Sequence, residues 1–221
     1  MTAVEEPRRL HPLLSPSNGA AVEQPVPVGE VVESTTKDFV AQACELNGAP
    51  AFGSFVRVAL RQGVMAYGVV AHVQTAGIDP GARAIMRGHG QVRDDLIYVE
   101  NPDLPHVLRT TFRALLVGFA EAGSYRQFLP AHPPRLHYSV HVATPREVQD
   151  FTDTGLMYLG TLLAAGDVPT DELIAANVRL TAAIRGEPEQ FPRLAGRELA
   201  QLLRADYARF TAVLRRLVPG R

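Results

Sequence analysis

Three groups of residues in this 221-residue chain have the types and spacing that chemistry uses. Gly48-Ala-Pro-Ala-Phe-Gly53-Ser54-Phe55 has the glycine spacing of a phosphate-binding loop. Such a loop needs a lysine on the phosphates, a Ser or Thr on magnesium, and a helix directly after it. Ser54-Phe55 stands where that pair belongs and the following residues alternate like a strand, so nucleotide hydrolysis is not expected. His132, His137 and His141 have the look of a metal-ligand cluster, but Pro130, Pro133 and Pro134 favour an extended chain here. In an extended segment His137 and His141 lie roughly 13 Å apart, too far to share an ion. The third group is cationic. Arg83, Arg87, His89 and Arg93 fall in a glycine-punctuated loop, and Arg204, Arg209, Arg215 and Arg216 lie on the polar side of a final helix. These eight residues form the candidate interaction surface, for an acidic partner, a phosphate or nucleic acid. A solvated loop and a solvated helix face are the competing readings.

The remaining reactive residues assign no reaction. Cys44 is the only cysteine, which excludes an internal disulfide and fits a reducing cytosol; its position in a strand suggests a buried core thiol. Lys37 is the only lysine and therefore the only candidate for lysine chemistry. Asp94 and Asp95, like Asp171 and Glu172, are adjacent in sequence and so point apart. Ser34, Ser54 and Ser139 lack the glycine pattern of a nucleophile elbow. No catalytic residue, metal ligand or cofactor is expected from local motifs. A formal net charge of -1 argues against non-specific nucleic-acid binding, which draws on a basic excess. No apolar run approaches the ~18 residues of a membrane-spanning helix, and the N-terminus carries no apolar signal core, so a cytoplasmic protein is expected.

The elements that must position these residues begin at Gly29. Gly29 to Thr36 and Phe39 to Cys44 are rich in β-branched and apolar residues and read as two strands. Asn47-Gly48 is a favoured hairpin dipeptide, so the chain is expected to turn back there. Ser54 to Leu60 alternates with Val56, Val58 and Leu60 on one face, and Val64 to Val73 follows after Gln62-Gly63, with a bulge or close approach expected at Gly68. Residues 74–106 read as a long loop within which Asp94 to Glu100 is ambiguous. Thr110 to Phe119 fits either a helix or a strand, and is assigned as a strand because a barrel would otherwise lack staves. Tyr125 to Leu129 is the expected sixth strand, and Leu136 to Val142 an added edge strand.

The pattern Gly29-x-Val31-x-x-Ser34-x-Thr36, Phe39, Glu45-Leu46-Asn47, Gly53-x-x-Val56, Gly63 and Gly68-Val69-Val70 resembles the HAS barrel, named for the HerA translocase and the rotary ATP synthase. The resemblance covers roughly residues 29–73 and, more loosely, the strands to about 130. It implies a small closed barrel that associates side by side and offers a surface to partner proteins. It also implies a link to a P-loop ATPase or a nuclease, in the context of DNA-end processing.

From Thr144 the character changes. Thr144-Pro145-Arg146-Glu147 is a capping box with proline at the first helical position. Three helices are expected: one to Gly166, one from Thr170 to Gly186, and one from about Leu194 to Leu217, forming a small bundle or packing on the barrel. The expected fold is α+β, a small six-stranded closed β-barrel followed by about three helices. Residues 1–28 read as a flexible Pro-rich tail, 29–142 as the barrel with its inserted loop, and 143–221 as the helical region. The expected function is a non-catalytic assembly or adapter role with a protein partner or with itself. A nucleic-acid-binding barrel is the alternative, and an enzyme with a dispersed site the third reading.

Overall fold

The computed structural model describes residues 26–61, 63–79 and 84–217, so the expected tail at 1–28 lies almost entirely outside the described residues. Seven strands form one antiparallel sheet: β1 (Gly29–Ser34), β2 (Asp38–Ala43), β3 (Phe55–Arg61), β4 (Val64–Gly77), β5 (Leu108–Glu121), β6 (Ser124–Arg126) and β7 (Ser139–Val142). Six of them, in the order β2-β1-β7-β3-β4-β5, close into a barrel through pairing of β2 with β5. The class is α+β, as expected, but two strands exchange roles. The sixth strand expected at Tyr125 to Leu129 shortens to β6, which pairs only with the end of β5 and stands outside the ring. The stretch expected as an edge strand supplies β7, which fills the gap between β1 and β3. Nor is Asn47-Gly48 a hairpin between β2 and β3. Asn47 adopts φ 63° and Gly48 N–H donates to Glu45 C=O, but β2 pairs with β1 and β5 while β3 pairs with β4 and β7. The turn redirects the chain across the barrel instead of folding it back.

Alternation sorts the strand residues between two cores. Val31, Phe39, Ala41, Val56, Val58, Val70, Phe112, Ala114, Leu116 and Val140 fill the barrel. Phe55, Tyr67, Val69, Ala71, Leu115 and Val117 point outward and pack under the helices. Burial on both faces explains why Ala114 to Val117 is a continuous apolar run that periodicity could not separate from a helix. Each large side chain buried contributes about 1.5–3 kcal/mol against the ordering of the chain, so both cores stabilise the fold. The register slips between Tyr67 and Gly68, where the sequence suggested a bulge.

Seven helices occur among the described residues, more than the three expected. Two short ones, α1 (Asp95–Glu100) and α2 (Leu104–Val107), lie within the segment read as a loop. The first expected helix divides into α3 (Pro145–Asp153) and α4 (Tyr158–Leu163) because Gly155 takes φ 129°, outside the helical region. The last divides into α6 (Gln190–Leu202) and α7 (Tyr207–Leu217), where the Asp206 carboxylate accepts Arg209 N–H and starts a new helix. Between them α5 (Thr170–Arg185) ends at left-handed Gly186, as its sequence indicates. The capping box of α3 is complete: Thr144 accepts from Glu147 N–H, and Glu147 accepts from Thr144 N–H at 2.8 Å. No helix among the described residues is long and apolar enough to cross a membrane.

The helices pack on the barrel and share a core with its outer face. Phe151 of α3 contacts Phe55, Tyr67 and Tyr158, with ring centroids 5.4–5.7 Å apart. It sits over Gly118, where an added Cβ would stand 2.8 Å from the Phe151 ring. Beside it a fully buried polar chain crosses the seam. Tyr158 donates its hydroxyl to Asn177 Oδ1 at 2.8 Å, and Asn177 Nδ2 donates to Gly53 C=O at 2.9 Å. Gly53, at φ 89°, lies so close to α5 that a Cβ would meet Asn177 N at 2.8 Å. Asn177→Ala strands the Gly53 carbonyl and the Tyr158 hydroxyl, and is expected to cost about 3 kcal/mol in urea denaturation of the full chain. A loss below about 1 kcal/mol would show that the seam is held by apolar contacts alone.

Candidate interaction surface

β4 and β5 are each 14 residues long, about twice the length of β2 or β3. β2 accompanies β5 only as far as Gln42 opposite Thr111, and β3 accompanies β4 only to Val69. The surplus, ending with Gly77 opposite Leu108, therefore leaves the ring as a two-stranded ribbon, and the described residues beyond it, 78–79 and 84–107, form its head. The segment read as a loop is an arm.

Asn47 fastens this arm to the barrel. Its N–H donates to Thr110 Oγ1 at 2.8 Å, its Oδ1 accepts from Thr75 at 3.1 Å, and its Nδ2 donates to Tyr98 in α1 at 3.3 Å. Thr75 and Thr110 bond to each other at 2.7 Å. Farther out, Ile78 N–H donates to Val107 C=O, Arg87 pairs with Asp103 at 3.0 Å, and Asn101 closes the end of α1. Between ribbon and head lies an apolar cavity of about 570 Å³ bordered by Ile78, Ile85, Ile97, Tyr98, Leu104 and Val107. Apolar side chains around this open cavity and on the rest of the head also reach solvent. Ile85 is 75 % exposed, Val99 73 % and Met86 72 %, with Leu96, Tyr98, Ile78 and Val107 exposed beside them. Such a concentration on one projection is what an interaction surface presents.

The cationic candidates do not gather on one element. Arg83 lies outside the described residues. Arg87 is paired with Asp103, while His89 and Arg93 are exposed on the arm without an ion pair among the described residues. On α7, Arg209 binds Asp171 and Thr170 at the start of α5, and Arg216 binds Glu172. Those two hold α7 against the acidic first turn of α5. Only Arg204 and Arg215 of that set are exposed and unpaired among the described residues. The arm's apolar residues were missed because Ile85-Met86 and Leu96 to Val99 are two short apolar groups, separated by the charges and glycines of Arg87 to Asp95, and neither is long enough to define a periodic face. The number of them outside any periodic face was the available signal.

Other reactive groups are committed within the fold. Glu147 accepts from the Tyr67 hydroxyl at 3.3 Å and pairs with Arg57 at 3.2 Å, joining α3 to β3 and β4. Burial first, then the Glu147 charge, pushes the Tyr67 phenol well above its ordinary value, so it remains a donor. Burial does the same to Tyr158. His137 Nδ1 lies 2.6 Å from Glu30, and His141 stands in β7 opposite Arg57. Cys44 is exposed, not buried as expected, because β2 ends at Ala43 and the thiol falls in the turn beyond the sheet. No protein-family model and no curated protein matches this chain.

Asn47→Ala is expected to free the arm while leaving the barrel intact. Proteolysis between residues 84 and 107 should accelerate by the roughly 5- to 30-fold that corresponds to about 1–2 kcal/mol of lost side-chain bonds, with little change in the global unfolding midpoint. Equal cleavage rates in the two proteins would show that Asn47 does not hold the arm.

Proposed function

We propose that this chain is a non-catalytic assembly or adapter module that engages another protein through its β4–β5 arm. The exposed apolar head of the arm carries the reading: a ribbon that contributes little to either core ends in Ile85, Met86, Leu96 and Val99 held open to solvent. Charges of both signs surround these residues, including Arg93, Asp94, Asp95 and Glu100, which suits a protein surface with an apolar centre and a polar rim. A HAS-like identity for the ring, with self-association or an ATPase or nuclease as partner, is the form of this proposal that the sequence resemblance favours.

A nucleic-acid-binding barrel has less support. That reading needs Arg83, Arg87, Arg93 and Arg113 to gather on one face, and of these Arg87 is paired with Asp103 and Arg113 with Asp38 and Asp167. Arg93 is unpaired among the described residues, but a single cation does not make a groove.

Ile85→Glu combined with Leu96→Glu tests the proposal. Light scattering over a concentration series, with and without a candidate ATPase or nuclease, should show association by the parent chain that the double variant weakens at least tenfold. Surface changes of this kind should move stability by no more than about 0.5 kcal/mol. Association unaltered by the two substitutions, or none by the parent chain under any of these conditions, would overturn the reading.

A further inference from the structure

A second cavity lies where the helices meet the barrel, well away in sequence from the arm. It measures about 530 Å³, within the roughly 300–1,000 Å³ typical of small-molecule sites. Leu115, Leu129, Ala164 and Ala165 give it apolar walls, and Lys37, Arg113 and Asp167 also line it. Lys37 is the only lysine of the chain.

The charges do not have equal holds on one another. Arg113 donates from Nε to Asp38 at 2.6 Å, touches the same carboxylate through Nη2, and donates from Nη1 to Asp167 at 2.5 Å. Asp38 is on β2 with its side chain 15 % exposed, so its pairing with Arg113 is part of the folded sheet. Asp167 is on the loop between α4 and α5, directly after Gly166, and its side chain is 60 % exposed. The Lys37 ammonium makes no ion pair among the described residues, although its charge is felt at Asp167. With Asp38 cancelling Arg113, the cavity has room for one negative charge, beside Arg113 Nη1 on a lining that also carries Lys37. Asp167 now fills that seat.

We propose that this cavity binds a monocarboxylate bearing a short aliphatic chain, whose carboxylate replaces Asp167 on Arg113 and recruits Lys37 while the chain lies against the Leu and Ala walls. The hydrogen bond from Arg113 holds the Asp167 carboxyl below the usual carboxylate range, so at neutral pH the exchange is of one carboxylate for another with no proton taken up. A dianion would bring a second negative charge toward Asp38 with no cation left to meet it. An uncharged chain would gain the walls but not the attraction of Arg113 and Lys37. This inference is independent of the partner reading, since none of these residues belongs to the arm.

Calorimetric titration of the full chain at pH 8 with octanoate, 1-octanol and octyl phosphate tests it. Octanoate should bind saturably, and the alcohol and the phosphate at least tenfold more weakly. Lys37→Met should weaken octanoate about tenfold, and Asp167→Asn, which removes the resident competitor, should strengthen it at least threefold. Circular dichroism melts would confirm that both variants are folded. Absence of octanoate binding at millimolar concentration overturns the proposal, as does binding of octanol or octyl phosphate as tight as that of octanoate. Either substitution failing to move the octanoate affinity in its stated direction also overturns it, and would place any bound chain elsewhere, such as in the arm cavity.

Discussion

A buried amide decides how the two halves of this chain meet. Asn177 stands on α5 with no access to water, and its side chain is satisfied only by Gly53 C=O on one side and the Tyr158 hydroxyl on the other. Apolar residues tolerate many arrangements of helices on a sheet, whereas a buried amide tolerates few, because each unmet hydrogen bond costs about 1–3 kcal/mol. The position therefore fixes α5 against the start of β3 and α4 against α5. Phe151 on Gly118, and the Arg57–Glu147–Tyr67 bridge, then fall into register. Without the helices, the outward faces of Phe55, Val69, Leu115 and Val117 would lie open to water.

Barrel closure has a corresponding consequence at the other end of the long strands. A ring whose neighbours run six or seven residues uses only part of two 14-residue staves. The remainder must leave the ring, and it leaves as a paired ribbon because its hydrogen bonds are met strand to strand. Asn47, held at a left-handed φ at the exit from β2, braces that ribbon. A polar bracket at the base and an apolar head beyond it make a projection that reaches outward without contributing to the core.

Local chemistry was legible in the sequence and long-range pairing was not. Val56, Val58 and Leu60 alternate because one face fills the barrel, and the Thr144–Glu147 capping box and the Gly186 stop act within a single turn of helix. Strand partners, in contrast, are chosen across the chain. Asn47-Gly48 has the dipeptide of a hairpin, yet β2 is claimed by β5 some seventy residues later. β7 is only four residues long and follows several prolines, so it reads as an edge, although it completes the ring. The apolar period of the last helical stretch continues through the Asp206 break because α6 and α7 each present an apolar face to the core. Of the candidate surface, the sequence located the arm through its glycines and cations. Its apolar head emerged only when the residues that the core leaves outside were known.

Amide hydrogen exchange on the full chain tests most directly whether barrel and helices are one cooperative body joined at Asn177. The account predicts that amides of β3, β4 up to Val70, the inner part of β5 and α5 open with free energies within about 1 kcal/mol of one another, while residues 84–107 exchange far faster. If α5 opened several kcal/mol more easily than the barrel strands, the helices would be an independent layer resting on a self-sufficient barrel, and the seam would not be what the fold depends on.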